Sequence, residues 1–137
     1  MELNFPIEFI VLGTPVSFQG DRPAAKSEWK ERVKNASGSA MPRPHFVSQD
    51  RMAVTIYYFP AQPMQGDVDN IIKLIVDALT QHVYFDDRQV ERIVVQKFEP
   101  GNVFTFAEPS EVLSRALETA KPLVYIRINN DPFEDLI

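Results

Sequence analysis

The chain has 137 residues, 45% apolar and 24% charged, with a net charge of −5 and no cysteine. These values describe one globular domain with room for a core, and they exclude disulfide scaffolds, thiolate metal sites and wholesale disorder. No apolar run approaches the roughly 20 residues of a membrane-spanning helix, and Met1–Leu12 has neither a basic leader nor a small-residue cleavage site, so a cytoplasmic location is expected.

Ile7–Leu12 is a short apolar run stopped by Gly13-Thr14-Pro15, which predicts a first strand. Ala25–Asn35 reads as a helix with Trp29, Val33 and Ala36 inward and Lys26, Lys30 and Lys34, four apart, along another side. Gly38–Pro44 combines glycine with two prolines and is expected to be a loop. Met52–Phe59, rich in β-branched and aromatic residues, predicts a strand that Pro60 and Pro63 end.

The clearest helix is expected over Asp69–Gln81. Ile71, Ile72, Ile75, Ala78 and Leu79 form its apolar stripe, with Asn70, Lys73, Asp77 and Thr80 opposite. Glu91–Phe98 predicts a strand, turned by Pro100-Gly101-Asn102 into Val103–Phe106 as a hairpin. Pro109–Ala120 reads as a third helix and Leu123–Ile128 as a last strand, followed by an acidic tail over Asn129–Ile137. Tyr57, Tyr58, Phe104 and Phe106 are read as sheet core rather than base-stacking platforms. The order gives a single two-layer domain over 1–137, α/β of mixed α+β type, with a mixed sheet and about three helices.

The acidic total argues against indiscriminate nucleic-acid binding, because phosphates are contacted by Lys and Arg. The distribution is uneven, however. Arg22 to Arg51 holds seven basic residues (Arg22, Lys26, Lys30, Arg32, Lys34, Arg43, Arg51) against three acidic ones, whereas from Met52 onward seven face thirteen. Such a segment can bind DNA as a local patch, or it can be an ordinary solvated helix face.

Asp67-Val68-Asp69-Asn70-Ile71-Ile72-Lys73, closed by Asp86-Asp87, carries the chemistry. Oxygen-only clusters suit Mg²⁺, which takes few protein carboxylates and leaves room for phosphate and water. Residues at i and i+2 share a side only in extended chain, so Asp67 and Asp69 meet one ion only if the helix begins at or just after Asp69. The competing reading is a helix cap, favoured for Asp at that position. A helix over Asp69–Gln81 is roughly 18 Å long, and the six steps from Gln81 to Asp87 reach about 20 Å when extended. Asp87 therefore returns to the helix start only by running nearly straight back; failing that, the partner carboxylate comes from another subunit. One of Asp86 and Asp87 is expected to enter the site. Lys73 either pairs with Asp69 or Asp77 on the helix surface or steadies charge on a phosphoryl oxygen. His45 and His82 are too few and too far apart for a metal or nucleophile site.

Asp67-Val68-Asp69-Asn70, Lys73, Asp77-Ala78-Leu79 and Asp86-Asp87-Arg88-Gln89-Val90 closely resemble the signature of the RusA-type Holliday-junction resolvases, over about 31 residues from Asp67 to Lys97. The resemblance implies a small homodimeric, Mg²⁺-dependent endonuclease (Mn²⁺ as a substitute), often phage- or prophage-encoded, that nicks four-way DNA junctions symmetrically in recombination and repair. By position, Asp67, Asp69 and Asp87 match the catalytic acidic residues, Lys73 the catalytic lysine and Asp86 the less critical acid. Family members often carry a basic cluster just before Asp-x-Asp; here Pro60–Gln65 has no positive charge. Arg22, Lys26, Lys30, Lys34, Arg43 and Arg51 are the expected substitute, with the loop Ser37–Asp50 ordering on DNA. Two rivals follow: a nuclease for other branched DNA, and a catalytically silent junction-binding module.

Overall fold

Four runs of β-branched and aromatic residues form the sheet in the computed structural model, which describes residues 1–134 and 136. They are β1 (Ile7–Leu12), β2 (Met52–Phe59), β3 (Val90–Lys97) and β4 (Leu123–Asn129), in the spatial order β1-β4-β2-β3. β4 runs antiparallel to both neighbours, Ile126 lying opposite Phe9 and Ile56. β3 runs parallel to β2 and forms one edge of the sheet. The parallel pair requires a crossover, and the helix between the two strands supplies it.

Alternation divides the strand residues between two faces. Ile7, Phe9 and Val11, Val54, Ile56 and Tyr58, and Val124, Ile126 and Ile128 point to one face, packing on α1 (Pro23–Gly38) and α2 (Ile72–Leu79) through Trp29, Val33, Ile75 and Leu79. Each fully buried aliphatic side chain contributes about 1.5–3 kcal/mol. Leu123 and Tyr125 with Phe59 turn to the reverse face, where α3 (Glu111–Glu118) covers them with Leu113 and Ala116. Ser110 caps α3 by accepting from Leu113 N at 3.1 Å.

Several expected boundaries shift for local reasons. α1 starts earlier than expected because Pro23 occupies its first turn, and it continues through Gly38. The run 69–81 is not one helix: Val68–Ile71 form a 3₁₀ turn, α2 covers Ile72–Leu79, and Gln81 at φ 61 reverses the chain. The expected hairpin is absent, since 103–106 forms no strand. After the Gly101 turn, Phe104 and Phe106 instead lay their rings on Phe98 at 4.8 and 5.2 Å, so side-chain packing holds the segment. Tyr58 is buried in the main core and Tyr57 and Phe106 pack on the smaller cluster. Phe104, expected in the sheet core, is instead 39% exposed, because its segment lies over Phe98 at the surface rather than in a strand. The acidic tail folds back: Glu134 takes a two-pronged ion pair from Arg127 and a 2.6 Å hydrogen bond from Asn129. Asp135 and Ile137 of that tail lie outside the described residues.

The segment from Ser37 to Asp50 is tied to the rest of the fold by hydrogen bonds. Ser37 belongs to α1, Ser48 N donates to Val83 O at 2.8 Å, and Phe46 N to Met1 O at 2.8 Å. At the far ends of α1 and α2 a polar network joins the two helices. Ser37 Oγ donates to Lys34 O at 2.6 Å and therefore accepts from His82 Nε2 at 2.9 Å, which leaves no base for that hydroxyl. His45 bridges Pro42 O and His82 O at 3.1 and 2.8 Å. Both histidines are thus structural.

Burial, then the charges of Lys34, His45 and Arg43, hold His82 below its ordinary value. Its folded value lies under the unfolded one of about 6.5, so its contribution is complete above that pH and drains as pH falls through the folded value. Thermal stability of the wild type is therefore expected to fall from pH 7 towards 5, and His82→Gln to flatten that slope. Equal slopes in the two proteins would refute this origin.

Candidate active site

The motif residues are spread over three short pieces of backbone. Gly66, at φ +90 where L side chains are strained, turns the chain after β2. Asp67 follows in extended conformation (φ −102, ψ 145) at the cap position of the 3₁₀ turn, yet its carboxylate makes no capping bond. Asp69 lies within that turn. The cap reading thus accounts for Asp67's place but not for its side chain, which stands exposed to solvent.

The return from α2 succeeds within one chain because the helix is short. Eight residues extend about 12 Å, and Thr80–Tyr84 fold back at once, Val83 N donating to Leu79 O at 2.8 Å and the buried Tyr84 hydroxyl to Val76 O at 2.8 Å. Asp87 then lies beside Lys73, with Nζ 3.5 Å from its Oδ2 and 2.8 Å from Asp77 Oδ1. The Asp77 hydrogen bond is the main influence raising the Lys73 ammonium above its ordinary value, and Asp87 adds to it. Lys73 pairs with Asp77, one of its two expected helix-surface partners, and also bridges to Asp87.

Asp69, Lys73 and Asp87 line one recess of about 300 Å³ at the sheet edge, floored by Ile72, Val76, Val90 and Ile93. Asp67 is not among its lining residues. Among the described residues no three carboxylate or imidazole side chains converge on a point able to hold a metal ion. Two exposed carboxylates with no sulfur nearby nonetheless fit Mg²⁺, which is held by one or two carboxylates and keeps its other positions for water and phosphate.

Asp86 is turned to another task. Its side chain accepts from Arg88 N at 3.0 Å and pairs with Arg88 Nη2 at 3.4 Å. The Arg88 N–H, followed by the Asp87 side chain, holds the Asp86 carboxyl below its usual range. It is half of a capping box around the turn Asp87–Gln89; the other half is the Gln89 carboxamide. Asp-x-x-Gln is the spacing of such a box, so Asp86 and Gln89 were findable as a pair in the sequence.

The basic residues divide by environment. Lys26 Nζ donates to Phe18 O at 2.6 Å and sits 5.3 Å from the Phe18 ring, while Phe18 N donates to Asn70 O at 2.8 Å, so Lys26 fastens α1 to the 3₁₀ turn. Arg51 pairs with Glu91 at 3.3 Å. Arg22, Lys30 and Lys34 enter no ion pair among the described residues. A larger recess of about 580 Å³, on the reverse face, shares no lining residue with the carboxylate recess. Its Glu8 carboxylate accepts from Ser110 and Tyr125, and its Arg127 is paired with Glu134.

A family model for the endodeoxyribonuclease RusA matches residues 19–105, more than half of the chain. The chain belongs to the RusA family. RusA proteins are endodeoxyribonucleases that resolve Holliday junctions, and branched DNA is what they act on. No curated protein matches the chain. The RusA match takes in α1, both 3₁₀ turns, α2 and all of β3, and so contains Asp67, Asp69, Asp77, Asp86 and Asp87 together with Lys73. Among the described residues no helix is long and apolar enough to cross a membrane.

Proposed function

We propose that this RusA-family chain is a Mg²⁺-dependent nuclease that resolves four-way junctions by paired incision, with Mn²⁺ as a substitute cation. The supporting observation is the meeting of Asp69, Lys73 and Asp87 in one solvent-open recess, although they come from two different turns and a helix. Asp69 and Asp87 would hold the cation, and Asp67, outside the recess lining, would join them only if the chain before the 3₁₀ turn shifts. When bound, the cation supplies Lewis-acid polarisation of the scissile phosphate and activates water. Lys73, already shared between Asp77 and Asp87, reorients to a phosphoryl oxygen and stabilises the charge that develops there. Asp77 keeps it poised while DNA is absent.

Paired cuts in a two-fold junction require two sites related by symmetry, which is the reason for a homodimer in this proposal. The apolar floor of the recess favours the same conclusion. Ile72, Val76, Val90 and Ile93 are of little use to a phosphate, and Ile93 is 41% exposed on an edge strand. Arg22, Lys26, Lys30, Lys34, Arg43 and Arg51 would carry the phosphate contacts, Lys26 and Arg51 by giving up their bonds to Phe18 O and Glu91.

The chain's −5 charge and uncharged Pro60–Gln65 stretch favour one other reading, a nuclease for other branched DNA. Competition among a synthetic four-way junction, fork, flap and linear duplex in Mg²⁺ separates the two. Preferential paired nicking of the junction, abolished by EDTA, is expected. Preferential cutting of the flap or fork would overturn the junction assignment. Tight junction binding with no cleavage in either cation would mark a silent binding module.

A further inference from the structure

Gln89 makes four hydrogen bonds, the full complement of two donors and two acceptor lone pairs that a carboxamide offers. Its Oε1 accepts from Phe85 N at 2.8 Å and Asp86 N at 3.0 Å. Its Nε2 donates to Ser48 O at 3.0 Å and Asp50 O at 2.8 Å. The partners fix which end is which: two N–H groups face the oxygen and two carbonyls face the nitrogen. A flipped amide would set like against like four times over.

The two sides joined by this side chain are different in kind. One is the turn that carries Asp87. The other is the segment just before Arg51, itself held by Ser48 N on Val83 O and by Asn130 Nδ2 on Asp50 Oδ2 at 3.2 Å. Asp87 is exposed; its carboxylate meets the Lys73 ammonium at 3.5 Å, and its other partner, the Asp86 side chain, belongs to the same turn. Its place is therefore set by the backbone of its turn rather than by its own side-chain contacts. That backbone wraps around the Gln89 carboxamide.

We infer that Gln89 is a positioning residue: it holds the Asp87 carboxylate against the recess by clamping the Asp86-Asp87 turn to the 48–50 segment. This rests on the proposal that Asp87 is a cation ligand. Because Ser48 and Asp50 lie between Arg43 and Arg51, the same clamp fixes the carboxylate relative to proposed phosphate contacts. Supporting groups of this kind typically change metal affinity by about 10–100-fold when removed.

The test compares the whole chain as wild type, Gln89→Met, Gln89→Glu and Asp87→Asn, well below each melting temperature. Bound Mn²⁺ is counted by electron paramagnetic resonance with and without junction, and the Mn²⁺ concentration giving half-maximal cleavage is measured beside it. Gln89→Met, which keeps the stem but no polar atom, is expected to weaken Mn²⁺ binding at least about tenfold. Gln89→Glu keeps the acceptor half and falls between Met and wild type. Junction affinity in EDTA stays within about twofold, and cleavage by the Gln89 variants recovers substantially at saturating Mn²⁺. If both Gln89 variants match wild type in Mn²⁺ dependence while Asp87→Asn does not, the positioning role is wrong and the carboxylate assignment stands. If Asp87→Asn also matches wild type in Mn²⁺ dependence, the assignment of Asp87 fails and the role of Gln89 with it. A lowered melting temperature with unchanged Mn²⁺ dependence would make Gln89 a purely structural residue.

Discussion

Asp69→Asn is expected to slow junction cleavage in Mg²⁺ by at least about 10²-fold, the scale on which loss of one preorganised electrostatic partner acts. Asparagine preserves the size of the side chain and the exposed 3₁₀ turn, so the fold should be unaffected. What it removes is the charge that draws a hard cation. Junction binding in EDTA should be unchanged or slightly tighter, because one negative charge facing DNA is gone. Asp87→Asn should behave alike, since its carboxylate lines the same recess. Asp86→Asn makes the informative contrast. Its carboxylate is engaged by Arg88 N in the capping box, and asparagine caps about as well as aspartate. Cleavage by that variant should remain within a few-fold of wild type. Wild-type rates for Asp69→Asn on a four-way junction would refute the proposed site.

The contrast between Asp86 and Asp87 shows where sequence reasoning reaches and where it stops. Alternation and apolar stripes depend on burial alone, and for that reason β1 and β2 were legible residue by residue, and the helices to within a turn or so. That Asp69, Lys73 and Asp87 belong together was also legible, because their spacing carries a family signature, and the three share one recess, whose lining leaves out Asp67. Which member of Asp86-Asp87 faces the recess depends on a capping box closed by a third residue, and neighbouring carboxylates carry no such label in themselves. The reach estimate had the right limits but too long a helix. Thr80 leaves α2 in extended conformation (φ −65, ψ 133) and the reversal at Gln81 follows, which shortened the distance Asp87 had to cover. The missing hairpin has the opposite lesson. Turn residues at 100–102 were read correctly, but Phe98 offered rings a better partner than its edge offered backbone. Lys26, expected as a phosphate contact, also meets a carbonyl and a ring in its own chain; no periodicity reveals that.

The same return segment makes Tyr84 the position where a core change should reach the site. Its side chain is fully buried, and its hydroxyl donates to Val76 O at 2.8 Å. Thr80 and Ser48 both bridge to its backbone, three residues before Asp87. Tyr84→Ala should cost about 3–5 kcal/mol, as for other large buried aromatics, and lower the melting temperature on the order of 10–20 °C. Tyr84→Phe should cost only about 1 kcal/mol. Val76 O keeps Thr80 N at 3.2 Å and Thr80 Oγ1 at 3.0 Å, so no buried acceptor is stranded. Well below its melting temperature, Tyr84→Phe should cleave junctions as wild type does, while Tyr84→Ala should also lose cleavage as the Asp87 turn loosens. Burial pushes the Tyr84 hydroxyl far above its ordinary value. With the folded value above the unfolded one of about 10, its stabilisation is complete below pH 10 and is lost as pH rises beyond it. Tyr84→Phe should therefore reduce the alkaline loss of stability, with Tyr125, raised first by burial and then by its bond to Glu8, accounting for a further share. Chemical denaturation of the three proteins at pH 7 and 10.5 measures both effects, and a Tyr84→Ala cost under 1 kcal/mol would show that the return segment is held by something other than this ring.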